Sequence, residues 1–196
     1  MEEVLPGVRH WTAKHPRIGI EVSSHWVPEA GAVIDPLLPE EGIEAFAAGP
    51  PDRVLLSNRH HLRHAEHFAR EYACTIHCSE PGLHEFEHGP EVKGFAFGEE
   101  VAPGIEALEV GAICPDESAL LIREPGALLI ADGIVSYGGE LNFVPDNLIG
   151  DDPEGVKRGL REAYSRVLDR DFDNLLFAHG DPIIGGGKRA LGDFCS

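Results

Sequence analysis

Residues 53–64 read RVLLSNRHHLRH, an apolar strand that passes through a polar turn into a cluster of histidines. Two downstream fragments share that grammar. LLIADG (128–133) and LLFAHGDP (175–182) are apolar runs that each end in one ionisable residue, Asp132 or His179, followed by Gly. Strands that deliver polar side chains at their C-terminal ends are a frame for coordination chemistry. Imidazole and carboxylate are the ligands of a hydrolytic metal centre, in which the ion makes a bound water nucleophilic near neutral pH. Within the cluster, His60 and His64 are spaced i,i+4 and share a face of a helix, and His61 and His64 at i,i+3 nearly do. His60 or His61, with His64, Asp132 and His179, makes a set for one divalent ion, with a position left open for water.

The elements that must position these groups alternate strand and helix. IGIEVSSHWV (18–27) and GAVIDP (31–36) read as strands, the second stopped by Pro. LPEEGIEAFAAG (38–49) carries early acidic residues and a terminal Gly, the pattern of a helix. RVLLS (53–57) is a strand, 60–72 an amphipathic helix with Leu62, Ala65, Phe68, Ala69 and Tyr72 on one stripe, and CTIHC (74–78) a strand. Residues 81–104 are rich in Gly, Pro and charge and read as loops and edge strands. IEALEV (105–110), SALLIR (118–123) and ALLIADG (127–133) follow as strands, the last two joined at EPG. Residues 137–153 read as a loop across one face. Asp151 and Asp152 before Pro153 begin a helix that runs to about Leu168. NLLFAHG (174–180) is a strand, and GGGKRALGDF (185–194) a Gly-rich turn into a short helix. The class is α/β (α+β in some schemes), in one domain over 1–196.

In that order, the motifs resemble those of the metallo-β-lactamase superfamily, over nearly the whole chain. The resemblance implies a four-layer αβ/βα sandwich with its site where strand ends meet. The family's first motif, Thr-His-x-His-x-Asp-His, falls on 57–63, where only His60 matches a ligand. Asn58, Leu62 and Arg63 stand where His, Asp and His are expected. The second, Gly-His-Thr-Pro-Gly-Glu, is matched at Pro115 and Glu117, with Ile113 in place of the His. The bridging Asp is kept as Asp132, and the C-terminal Gly-His-Gly keeps its His as His179. The usual pair of metals therefore lacks ligands. Arg63 is cationic at any working pH and would repel a divalent ion at close range.

The resemblance implies a metal-dependent hydrolase acting on an ester, thioester, lactone or phosphoester. Its site is degenerate and at most mononuclear: zinc, iron or manganese held by His60, His64, Asp132 and His179, with Asp132 and His60 catalytic and Asn58, Arg59, His61 and Arg63 around the pocket. The alternative is a non-catalytic relative without metal. There Arg63 pairs with Asp132, Arg59 adds charge, and the pocket binds an anionic ligand by bidentate contacts or serves only a structural role. The loops at 81–104 and 137–153 shape either pocket.

The partner that the resemblance implies is a small-molecule substrate or anionic ligand, and composition argues against two other classes. A formal net charge of −18 over 196 residues opposes binding to nucleic acid or to an anionic membrane. The opening MEEVLPG is acidic where a signal peptide needs basic residues, and no apolar run reaches membrane length. The four cysteines lack a zinc-finger pattern and read as reduced thiols, which points to the cytoplasm. His67, His84 and His88 read as surface or packing residues. The Gly185–Lys188 stretch lacks the spacing of a phosphate loop.

Overall fold

The computed structural model describes residues Met1–Ser196. The chain opens with β1 (Glu2–Leu5), β2 (Val8–Lys14), β3 (Glu21–Val27) and β4 (Ala32–Ile34), which pair antiparallel in turn. β5 (Arg53–Leu55), β6 (Thr75–Ser79) and β7 (Val92–Phe95) then extend the sheet from β4 in parallel, with α1 (Ala65–Tyr72) between β5 and β6. The result is a seven-stranded sheet in sequence order.

A second, five-stranded sheet has the order β14-β11-β10-β9-β8. Its members are β8 (Glu100–Ala102), β9 (Ile105–Glu109), β10 (Ser118–Ile122), β11 (Ala127–Ile130) and β14 (Asn174–Phe177). β12 (Ile134–Tyr137) and β13 (Glu140–Phe143) form a separate hairpin, and Tyr137 and β13 fall in the stretch expected to be a loop. α2 (Pro153–Val167) bridges from that region to β14, and α3 (Gly187–Cys195) ends the chain.

Side-chain alternation builds the layers. In β4, Ala32 and Ile34 face the second sheet while Val33 faces outward; in β5, Leu55 faces in and Val54 out. Leu120 and Ile122 of β10, Leu129 of β11 and Leu176 of β14 complete the inner core. The outer face of the first sheet packs on α1 through Val33, Val54, Phe68 and the Trp11–Trp26–Phe46 aromatic group. The outer face of the second packs on α2 and α3 through Leu128, Ile130, Leu160, Tyr164 and Leu191. This is the four-layer αβ/βα sandwich.

Two helices differ from expectation. In 38–49 only a single 3-10 turn forms, Ile43–Phe46, after Gly42 at φ 77°. The helix expected from residue 60 begins at Ala65; before it, Arg59–Leu62 is a kinked 3-10 turn that ends at Arg63 with φ 41° and ψ −114°. Asn58 sets that turn, its side chain accepting from His60 N as an N-cap. α2 starts as its sequence indicates, with Asp152 accepting from Gly155 N and Pro153 in the first turn. No helix is long and apolar enough to cross a membrane.

Candidate metal centre

β4, β5, β11 and β14 end at one edge of the sandwich, and the chain leaves each of them through a polar residue. Asp35 follows β4, Ser57 and Asn58 lie just beyond β5, Asp132 lies just beyond β11 and His179 just beyond β14. Backbone clips fix the two sheets at this edge. Ser118 N and Oγ both donate to Ser57 O at 2.9 Å, and Ser23 N donates to Ala178 O at 2.8 Å.

Asp132 is the hub. Its Oδ1 lies 3.0 Å from His61 Nε2 and 3.0 Å from His179 Nε2, and its Oδ2 accepts from Asn58 Nδ2 at 2.8 Å. The ligand atoms of His61, Asp132 and His179 all lie within 4.8 Å of one another. Behind His61 stands Asp35, which is fully buried. His61 Nδ1 lies 2.9 Å from Asp35 Oδ2, and Asp35 also accepts from Ser57 N at 2.8 Å and Ser57 Oγ at 2.5 Å. Asp35 takes φ 47°, a region few side chains adopt but Asp and Asn tolerate. The line Asp35–His61–Asp132–His179 is thus a continuous chain of carboxylates and imidazoles.

Charge follows from this packing. Burial disfavours the His61 cation, but Asp132 and Asp35 outweigh it and push the imidazole up to about 9. Burial would raise both carboxylates; His61 reverses that, aided at Asp132 by His179, and holds Asp132 well below the usual carboxylate range and Asp35 below it too. Beneath the site Glu117, wholly buried, accepts from Gly133 N at 2.9 Å and Ile113 N at 3.3 Å. Burial, and then Asp132, push it up to about 7.

Of the residues singled out in the sequence, Asp132, His179, Asn58 and His61 converge here, while His60 and His64 do not supply converging donors. His60 is exposed, with its backbone N tied to Asn58 Oδ1 at 2.9 Å. Its ring lines the mouth of the cleft. His64 Nδ1 accepts from Leu38 N at 3.0 Å, and its ring stacks on His67 with centroids 5.1 Å apart. The break at Arg63 explains both: without a continuous helix from residue 60, His60 and His64 never share a face. The Arg63–Asp132 pair envisaged for a metal-free pocket is also absent. Arg63 Nη1 donates to Ser23 O and Asp35 O at 2.6 Å each, and the cation beside Asp132 is His61. Arg59 is held by buried Asp116, through an ion pair and through its backbone N at 2.6 Å. Leu62 and Ile113 turn into the apolar layers.

Sequence reasoning missed Asp35 and Ser57. Asp35 carried the same signal as Asp132: the apolar run AVI ends in a carboxylate. The Pro that follows it drew the reading toward a strand stop.

No protein-family model and no curated protein matches the chain. Solved structures do. The DIM-1 metallo-beta-lactamase matches with TM-score 0.72 and 11% identity, over 99% of this chain and 95% of that one. A metallo beta lactamase from Erythrobacter litoralis gives 0.71 and 16%, over 99% and 94%. TTHA1623, solved in a di-iron-bound form, gives 0.63 and 17%, over 95% and 94%. The chain therefore has the fold of the metallo-β-lactamase superfamily.

Proposed function

We propose that this protein is a hydrolase with a single divalent transition metal held by His61 Nε2, Asp132 and His179. The observation that carries the reading is the carboxylate behind the imidazole. Asp35 accepts the Nδ1 proton of His61 and so turns Nε2 toward Asp132 and His179, the arrangement in which metal-binding histidines are held. Asn58 fixes Asp132 through Oδ2 and leaves Oδ1 facing the two imidazoles. The donor set suits zinc, iron or manganese, and the di-iron-bound neighbour has the same fold.

A second ion does not fit. Positions 62 and 113 are given to apolar packing, and Arg63 brings a fixed positive charge to the same cleft. A bound ion would polarise the substrate and lower the pKa of a coordinated water. The chain's own residues hold that chemistry in place: Asp35 sets the His61 tautomer, Asn58 orients Asp132, and Arg63 ties β3 to the end of β4 beside the site. The reaction class we assign is attack by water on an ester, thioester, lactone or phosphoester.

One observation supports a metal-free reading: His61 Nδ1 and Nε2 lie 2.9 Å from Asp35 and 3.0 Å from Asp132, so an imidazolium there can itself balance both carboxylates. Elemental analysis of untagged protein, purified without chelator, separates the two. About one equivalent of metal, together with hydrolysis lost in a folded Asp132→Ala variant, supports the hydrolase. No metal after incubation with zinc, iron or manganese, or full activity in Asp132→Ala, overturns it.

A further inference from the structure

The mouth of this centre is a cleft of about 290 Å³ whose fixed charges are unusual for so acidic a chain. Arg17 and Arg63 line it, and Asp132 is its one carboxylate. Asp132 is already engaged by Asn58, His61 and His179. Asp35, beneath, is engaged by Ser57 and His61. Neither arginine has a carboxylate partner in the structure, although Asp and Glu outnumber Lys and Arg 34 to 16 in the sequence.

Arg63 is the more telling of the two. Its Nη1 bridges the carbonyls of Ser23 and Asp35, which a purely structural strap would also do. A strap does not explain the rest. Its charge lies near Asp35 and Asp132 without bonding to either carboxylate, and Nη2 is buried with no hydrogen-bond partner. A buried donor left without a partner is costly. So is the φ of 41° at which the residue is held. Arg17 is delivered from the other side by the turn between β2 and β3. That turn is ordered locally: His15 Nδ1 accepts from the backbone N of Arg17 at 3.3 Å and of Ile18 at 3.4 Å. The adjoining cavity of about 400 Å³ shares Arg17 and Arg63 with it, but Glu66 and Glu85 line that cavity too, and its Arg59 is paired with Asp116.

We infer that the cleft takes a substrate bearing an oxyanion, a phosphate or a carboxylate, whose charge is met by Arg17 and Arg63. As a statement of substrate class this rests on the hydrolase reading. As a statement of binding it does not, because both arginines belong to the chain and carry their charge with or without metal.

The test is calorimetric titration of inorganic phosphate, and separately of succinate, into protein with and without chelator treatment, at constant ionic strength set with chloride. Metal content is measured on the same samples. Saturable binding of at least one anion is expected. It should weaken about threefold in Arg17→Gln and about tenfold in Arg17→Glu, as for a solvent-exposed charge facing an anion. Arg166→Gln, on an exposed position of α2, serves as the control and should bind as the parent does. Arg17 is exposed, so these variants are expected to fold. The tighter of the two anions names the group. Arg17-dependent binding in protein that takes up no metal even without chelator and after incubation with zinc, iron or manganese upholds the oxyanion site while the hydrolase reading fails. No saturable binding of either anion, or equal binding in Arg17→Glu, overturns the inference whatever the metal content.

Discussion

Replacing Asp35 by Asn tests the centre at its foundation while changing one atom. Asn tolerates the φ of 47° as well as Asp does, so no backbone strain is added. The Asn oxygen still accepts from Ser57 N. The amide group, however, now meets Ser57 Oγ and His61 Nδ1, which lie 2.5 and 2.9 Å from Oδ2 in the parent. It donates where the carboxylate accepted. His61 Nδ1 must then become an acceptor, so the imidazolium loses its Nδ1 proton and keeps only the one on Nε2, the nitrogen that faces Asp132 and His179. Two losses follow. The buried carboxylate–imidazolium pair is broken, at about 3 kcal/mol, the lower end for a buried ion pair and equivalent to one or two charged hydrogen bonds. Metal affinity falls about 10- to 100-fold, the usual effect of removing the group that orients a ligating histidine. Urea denaturation of chelated protein reads the first. Competition against a chromophoric chelator reads the second. An Asp35→Asn protein that is as stable as the parent and binds metal as tightly would refute the role given to this carboxylate.

Other perturbations carry opposite pH signatures. In metal-free protein His61 has a folded pKa near 9, above its unfolded value of 6.5. Its stabilisation is thus complete below pH 6.5 and is lost as pH rises through 9; urea midpoints from pH 6 to 10 should fall, and His61→Gln should flatten that fall. His25 and His10 act in reverse. Burial lowers both, and His25 has neither ring nitrogen partnered. The folded chain holds them neutral, so stability is lost as pH falls through the unfolded value of about 6.5. His25→Leu should reduce that acid loss and raise neutral-pH stability by about 1–3 kcal/mol, read by the same melts. Gly180, next to His179, has φ 106°, and a Cβ there would overlap the Ser136 carbonyl. Gly180→Ala should cost about 3 kcal/mol or more, with metal binding impaired in whatever folds, measured by thermal melts and metal titration.

The layers were legible because each strand carried its own instruction. In β10, β11 and β14 nearly every residue is apolar, as befits a sheet covered on both faces, and α2 announced itself with Asp152 and Pro153. Asp132 and His179 were legible for the same reason: an apolar run that ends abruptly in a charge needs something to receive that charge. The stretch 57–64 was not legible, because its geometry is set from outside. Helical spacing pairs His60 with His64, but Asn58 caps a 3-10 turn, and the carbonyls of Ser23 and Asp35 capture the Arg63 side chain across the sheet. Residue 63 is thereby held at φ 41°, the helix is delayed to Ala65, and His61 becomes the inward imidazole. Local periodicity cannot report a contact made forty residues away.

That same capture explains how one imidazole can stand between two carboxylates. Without Arg63, Asp35 would sit buried with only His61 and Ser57 to balance it. With Arg63 bound to the Asp35 carbonyl, a second positive charge lies near, and its effect on His61 opposes that of the carboxylates. The guanidinium therefore pulls in two directions. It supports the Asp35 anion that orients His61, and it makes the His61 proton easier to lose, which a ligand nitrogen must do before it can bind an ion. Arg63→Lys separates these roles. A lysine keeps the charge but presents a compact ammonium in place of the planar fork now bonded to both carbonyls. Stability should drop by about 1–2 kcal/mol for one lost hydrogen bond to a charged group, while metal affinity stays within a few-fold of the parent. An Arg63→Lys protein that loses metal binding along with the bridge would mean that Arg63 acts by holding the strand ends in place, and that its charge is incidental to the centre.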